Sequence, residues 1–440
     1  MAPAAVRPSQ ARVGGGPGAI GARGMGAPGA AIGVVGDNIA NVSTIGYKRT
    51  RAGFADVLGG TLGNQRLGAG VRLGSIDTQF EQGSVQQTGG MLDVAIRGHG
   101  MLVVSGQHDG QTGQYYTRDG RLQLDNTGYL VDPRGLRVQG YAIDSAGVMA
   151  TSPSDLQLTG VTSAPVATTT AALTLKLDAN AQTTPLAAFD PLNPATTSNY
   201  ATSATVYDSL GAPHKVDIYL RAQGGGAWEW HAMVDGGELT GGTAGVATEI
   251  ATGTMTFDTN GALDTETPGA STANFLNATP GQAIAFDFGD AITTDGGTGR
   301  AGTTQPFGTS TVVGLAIDGH GAGQLIDLTI ADDGTIQGAF DNGDTRAIGR
   351  LALATFTDEQ GLARAGDGLF TQTATSGQPL IDAAATGGRG SISAGALEGS
   401  NVELGDELVT MIAYQRAFQA NVKTVTTADE MLAEVAQIKR

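Results

Sequence analysis

A mainly β fold carried between terminal α-helices is what this 440-residue chain predicts. Three observations point there. Residues 400–438 contain no proline and repeat apolar positions at helical spacing. The interior instead alternates apolar and polar residues between Gly- and Asp-rich turns. No strand–helix–strand alternation runs along the chain, which argues against the Rossmann and barrel patterns of many enzymes.

The first element begins late. Residues 1–29 hold Pro3, Pro8, Pro17 and Pro28 among many glycines. In a helix interior these cost about 3 and about 1 kcal/mol relative to alanine, so the stretch reads as a flexible or unreliable start. From Ala30 onward Ile32, Val35 and Ile39 recur at steps of 3 and 4, which predicts a short helix. The helix runs into the segment Asn38 to Lys48. Asn41 suits a left-handed helix end, Gly46 the turn after it, and the ring of Tyr47 an anchor for the exit segment.

Residues 71–150 change to a period of two. Val94-Ala95-Ile96 and Met101-Leu102-Val103-Val104 read as strands, with turns at Arg118-Asp119-Gly120, Asp125-Asn126-Thr127-Gly128 and Asp132-Pro133-Arg134-Gly135. A Thr/Ala/Pro-rich boundary follows. Beyond it Leu173, Leu175 and Leu177 alternate, then Val216, Ile218 and Leu220, then Trp228, Trp230, Ala232 and Val234, with a hairpin signal at Phe257 to Gly261. Ile326, Leu328 and Ile330 precede the turn Asp332-Asp333-Gly334, and Ile348 to Phe356 is a further strand. Residues 372–396 are small and polar and read as a linker.

The expected division is discontinuous. Residues 30–70 with 372–440 form terminal helices and connecting segments, the assembly core. Residues 71–150 with 310–371 form one β domain, and 151–309 an inserted outer β domain. The reason is that hairpin-rich segments flank an excursion whose two ends must return to one place.

In the terminal helix Leu404, Leu408, Met411, Phe418, Val422, Val425 and Leu432 follow at steps of 4, 3, 7, 4, 3 and 7. Such a stripe approaches a heptad seam and needs a partner, either a second helix in a hairpin or coiled-coil-like core or the chain's own globular body. Ser400 with Glu403 spells a capping box at its start.

Composition narrows the function classes. Asp plus Glu number 42 against 25 Lys plus Arg, a net charge of −17, so nucleic acid and anionic membrane are poor partners. Cysteine is absent, which removes disulfides, thiolate metal sites and cysteine nucleophiles together. No run approaches the roughly 18 apolar residues of a membrane span, and residues 1–30 lack the apolar block of a secretory signal. His99, His108, His214, His231 and His320 show no ligand spacing. Gly16 to Gly21 matches the letters of a dinucleotide fingerprint, yet no strand precedes it and its glycines and prolines oppose a following helix. Neither a nucleophile-elbow serine nor a phosphate loop occurs. The expectation is a non-enzymatic chain without cofactor or metal.

Both ends carry longer signatures. Asn38, Ile39, Asn41, Gly46, Tyr47 and Lys48, followed by Arg51-Ala52-Gly53-Phe54, resemble the N-terminal signature of bacterial flagellar rod and hook proteins. Gly395 to Leu404, Ala413 to Asn421 and Thr427 to Leu432 resemble the C-terminal one. Thr205 to Gly211 and Leu353 to Phe370 are similar to hook sequences of that family. The resemblance implies a structural subunit of the flagellar hook, exported by the flagellar type III apparatus and self-assembling head to tail into a curved, flexible tube outside the cell. It implies as partners further copies of the chain, the rod, the hook cap and the hook–filament junction proteins. The stripe residues would then pair helices, and Asn38, Asn41, Gly46 and Tyr47 would set the bend into the first β domain. A distal rod protein and, from another class, a secreted β-rich adhesin or glycan-binding module remain as alternatives.

Overall fold

The computed structural model describes residues 17–62, 65–183 and 187–438. Among them the fold is mainly β, with three α-helices: α1 (Pro17–Ala40), the four-residue α2 (Pro194–Thr197) and α3 (Leu404–Ile438). The chain divides into two compact units. The first holds residues up to 159, 328–338 and 346–440; the second holds 160–327 and 339–345.

Residues 1–16, including Gly16 of the dinucleotide-like letters, lie outside the described residues, but α1 is helical from Pro17, well before the expected start at Ala30. Pro17 occupies the first turn, where its missing N–H has no intrahelical partner to lose. Pro28 is inside the helix and withdraws the N–H that the Gly24 carbonyl, four residues back, would accept. Helix α3 fills this gap: Asn421 Nδ2 donates to the Gly24 carbonyl at 2.7 Å. Tertiary packing thus overrides a poor local propensity.

The end of α1 also differs from expectation. Asn41 does not take a left-handed conformation. Its N–H bridges the carbonyls of Asp37 and Asn38, both at 3.1 Å, and its side chain returns to the Asp37 carbonyl at 2.9 Å. The left-handed step falls on Gly46, φ +68°, where a Cβ would come within 2.6 Å of the Arg118 carbonyl carbon.

After this turn β1 (Thr50–Leu62) and β2 (Gln65–Thr78) pair antiparallel, across residues read as a connecting segment up to 70 and as the start of the β domain from 71. Glycines and small residues blur their alternation. Their covering is tertiary: Phe54 meets Tyr414 of α3 edge to face, with ring centroids 5.8 Å apart.

The remaining strands of the first unit come from both halves of the sequence. Strand Met101–His108 pairs with Gln111–Thr117, and Leu102 lies opposite Leu353 while Thr117 lies opposite Leu369. Met101, Val103, Tyr116, Ala354, Leu362 and Phe370 form one buried cluster there. The supposed linker 372–396 is largely paired. Leu380–Ala383 adds to the strand ending at Thr355, Ser391–Ala394 pairs with Val94–Arg97, and Ala396–Glu398 pairs with Val85–Gln87. Small residues make backbone ladders there without an apolar stripe, so periodicity could not reveal them.

The second unit is a five-stranded antiparallel meander in sequence order, from Tyr200–Tyr207 to Leu263–Ser271. Val216, Ile218, Leu220, Trp228 and Trp230 fill its core, the last two almost wholly enclosed. Beside it strand Thr170–Lys176 pairs in parallel with Ala285–Asp287 and antiparallel with Thr311–Ile317. That second pairing draws residues 310–327 into this unit, which starts at Gly160, so its limits are not the 151–309 read from composition.

α3 begins at Leu404, with the Glu403 carbonyl accepting from the Glu407 N–H at 3.1 Å. Ser400 is not its cap. Its hydroxyl accepts instead from the Val402 N–H at 3.3 Å, so the capping box is not formed.

Candidate assembly site

The two chain ends meet within the first unit, where the end of α1, residues 41–50, the strands near 82 and 398, and the approach to α3 converge. Asn38, 1% exposed, begins the construction. Its Oδ1 accepts from the Thr50 N–H at 2.9 Å and its Nδ2 donates to the Thr50 carbonyl at 2.7 Å. A carboxamide offers the same donor and acceptor as a peptide group, so Asn38 caps the first residue of β1 as a strand neighbour would. The Tyr47 hydroxyl donates to Asp37 Oδ2 at 3.0 Å and lies 3.2 Å from Asn38 Oδ1. Burial raises the Tyr47 pKa, so the hydroxyl stays a donor. Arg364 covers the Tyr47 ring at 5.2 Å and reaches Asp37 at 3.4 Å.

Deeper in lies an ion cluster that the sequence did not announce. Glu398 Oε1 is 2.7 Å from Lys48 Nζ, and Oε2 is 3.0 Å from the Arg118 guanidinium; the Lys48 and Glu398 side chains are fully buried. Two cations against one carboxylate leave an excess positive charge, which backbone carbonyls absorb. Lys48 donates to the Glu81 carbonyl at 2.7 Å and Arg118 to that of Gly98 at 2.7 Å. Glu398 Oε1 also accepts from the Gly83 N–H at 2.9 Å. Burial lowers the Lys48 pKa, and Glu398 opposes that shift. Beside the cluster Asn401 accepts from the Arg49 N–H at 2.7 Å and donates to the Gln79 carbonyl at 2.8 Å.

Of the N-terminal candidates, Asn38, Tyr47 and Lys48 are therefore brought together in a buried junction. Gly46 supplies its turn and donates its N–H to the Glu398 carbonyl at 2.7 Å. Asn41 and the half-buried Ile39 lie just outside it. Arg118, Glu398, Asn401, Thr50 and Arg364 were not singled out. Arg118 had read as a turn residue, and Glu398 had only its place in a signature to mark it.

The helix stripe is split. Met411, Val422 and Val425 are half-buried along the side of α3 that also carries Tyr414, Ala417 and Asn421. Leu404, Leu408, Phe418 and Leu432 are exposed, Phe418 at 38% and Leu432 at 67%. A strict seven-residue repeat drifts around a straight helix by about 20° per heptad, so one straight partner cannot cover all seven positions. Ile412, Met431 and Val435 enlarge the open apolar face. Among the described residues no group of three or more His, Asp or Glu could hold a metal ion, and no helix is long and apolar enough to cross a membrane.

The fold and junction define a class: a two-unit β protein whose chain ends are locked together and extended by paired helices. Comparison with known proteins then narrows it. Residues 95–181 match the flagellar hook protein FlgE/F/G D1 domain, 176–320 the flagellar basal body protein FlaE D2 domain, and 393–438 the flagellar basal body rod FlgEFG protein C-terminal family. The flagellar hook protein FlgE of Escherichia coli K12 is 31% identical over 94% of this chain and 98% of its own. That of Treponema pallidum is 34% identical over 92% and 96%. A crystal structure of Helicobacter pylori flagellar hook protein FlgE2 aligns with a TM-score of 0.42 at 15% identity, covering 71% of this chain and all of that one. The chain belongs to the flagellar hook protein family.

Proposed function

We propose that this chain is the structural subunit of the bacterial flagellar hook, assembling head to tail into a flexible curved tube that joins the rod to the filament and transmits torque. Contacts that do not close on themselves generate such a tube. The open apolar face of α3 carries the reading: Leu404, Leu408 and Leu432 stay exposed although α1 already packs alongside. Contiguous apolar surface of this kind marks a protein interface. In this reading the chain has no catalytic role, takes no cofactor, and neither binds nucleic acid nor inserts into membrane. Its partners are further copies, the rod protein below, the hook cap and hook–filament junction proteins above, and the flagellar type III export apparatus.

Leu408→Asp and Leu432→Asp test the reading. Each places a charge where a helix seam would form, where it loses hydration without a partner, while both positions are open in the single chain. Sedimentation should show no polymer, and thermal unfolding should be unchanged. Normal tubes from either variant remove the stripe as the assembly surface. In cells, deletion of the gene should leave the rod but neither hook nor filament on electron micrographs of basal bodies.

A further inference from the structure

Charge is divided between the two units far more unevenly than residues are. The second unit holds 18 Asp and Glu against 4 Lys and Arg, a net charge of −14 out of the chain's −17, while the first holds 24 against 21 and is left with −3. Two of the second unit's four cations already face carboxylates, Lys215 with Asp217 at 2.8 Å and Arg221 with Glu229 at 2.6 Å. Beyond these pairs its charge is almost wholly anionic.

The fold fixes this charge. Asp208 Oδ1 accepts from the Leu210 and Ala212 N–H groups at 2.8 and 2.9 Å, and Asp258 Oδ1 from those of Asn260 and Ala262, both at 2.8 Å. Backbone donors lower the pKa of Asp235, through Gly237 and Gly245, and of Asp258, through Ala262. Carboxylates that close turns in this way stay ionised, so the unit cannot shed its charge by taking up protons near neutrality. Glu266, raised to about 7 by burial, gives back only part of one charge. Like charges on one body push copies of that body apart. In a polymer of identical chains every neighbour carries the same anionic unit. Dissolved ions relieve that repulsion, which reaches over about 8 Å at physiological ionic strength and about 30 Å at about 0.01 M.

We propose that the second unit is an electrostatic brake on assembly: its fixed negative charge sets the salt concentration above which copies of the chain join. This rests on the reading of the chain as a self-assembling subunit and adds what regulates that assembly. The apolar face of α3 attracts at any ionic strength, whereas the brake weakens as salt rises. Free chains therefore stay apart in dilute electrolyte and join in a concentrated one.

Two full-length variants of equal total charge separate the second unit from the chain as a whole. One carries Glu249→Gln, Asp287→Asn, Asp290→Asn and Asp327→Asn, at exposed positions of the second unit; the other carries Asp109→Asn, Asp332→Asn, Asp367→Asn and Asp382→Asn, at exposed positions of the first. The amides keep an acceptor oxygen at each place. Both chains then stand at −13, but only the former lowers the second unit, from −14 to −10. Repulsion between copies goes as the square of the charge, so this change about halves it. Sedimentation from about 0.05 to about 0.5 M NaCl should show the native threshold for polymer falling by about tenfold or more. The second-unit variant should start lower and fall about half as steeply on a logarithmic scale, and the first-unit variant should follow the native curve. Equal behaviour of the two variants would overturn the proposal, as would a native threshold that salt does not move. Fluorescence of Trp228 and Trp230, both enclosed in the second unit, checks its fold in the monomer. Its unfolding midpoint should rise with salt in the native chain and rise less in its variant. A native midpoint indifferent to salt overturns the proposal without any variant. A native chain that polymerises at no salt concentration defeats the proposed function instead.

Discussion

Glu398 holds two cations that arrive from segments far apart in the chain, Lys48 being 350 residues away. Replacing it by glutamine keeps the shape but leaves two buried positive groups facing each other. Breaking a buried ion pair in this way costs about 3–5 kcal/mol, so Glu398→Gln should destabilise the first unit by that amount in urea unfolding followed by circular dichroism. A loss under about 1 kcal/mol would show the carbonyls alone suffice. In the second unit Glu266 is the contrasting acid. Burial, with Asp287 and Asp295 nearby, pushes its pKa from 4.5 up to about 7, against the Phe288 N–H that favours the charged form. Its folded pKa lies above its unfolded one, so its contribution is complete below pH 4.5 and is lost as pH rises through about 7. Glu266→Gln should therefore stabilise the second unit at pH 8 relative to the native chain, and the advantage should disappear by pH 4; equal effects at both pH values would exclude this origin. Neither role was legible in the sequence. Periodicity and spacing report neighbours along the chain, whereas Lys48, Arg118 and Glu398 become neighbours only through strand pairing.

At the scale of elements, α1 shows how a helix survives its own composition. Pro28 removes one donor, and Asn421, a residue on another helix, replaces it at the Gly24 carbonyl. The fit is close, since a Cβ on Gly24 would fall 2.6 Å from Asn421 Oδ1. Asn421→Ala should cost about 1–3 kcal/mol, the price of an orphaned buried carbonyl. In a Pro28→Ala background, where the helix N–H returns, most of that loss should vanish. A double-mutant cycle on thermal stability measures the difference, and additive effects would separate the two residues. The same helix marks a limit of sequence reading. Its composition argued for a late start, because propensity counts prolines without seeing the side chain that compensates one. Strands with an alternating apolar face, such as Val216, Ile218 and Leu220, were legible because the pattern and the burial are the same fact. The β1–β2 pair and the ladders at 391–398 were not, because glycine, serine and alanine pair through backbone alone. The terminal helix was legible as an element, and along its stripe Met411, Val422 and Val425 turn inward while Leu408 faces out.

At the scale of the whole molecule, the two units have separate cores, one around Met101, Tyr116 and Phe370 and the other around Trp228 and Trp230. Differential scanning calorimetry should resolve two transitions, of which Glu398→Gln lowers only one and Glu266→Gln shifts only the other with pH. A single transition that both substitutions move equally would mean the units unfold as one.

The placement of the indoles has a practical consequence. The chain has only two tryptophans, and Trp228 and Trp230 are both enclosed in the second unit. Their fluorescence therefore reports on that unit and is blind to the junction and the helices. A titration that drives subunits together through α3 should leave the emission maximum where it is while light scattering rises. Any red shift during that rise would say that polymer growth loosens the meander, turning two ordinary residues into a built-in gauge of strain at a distance from the contacts that cause it.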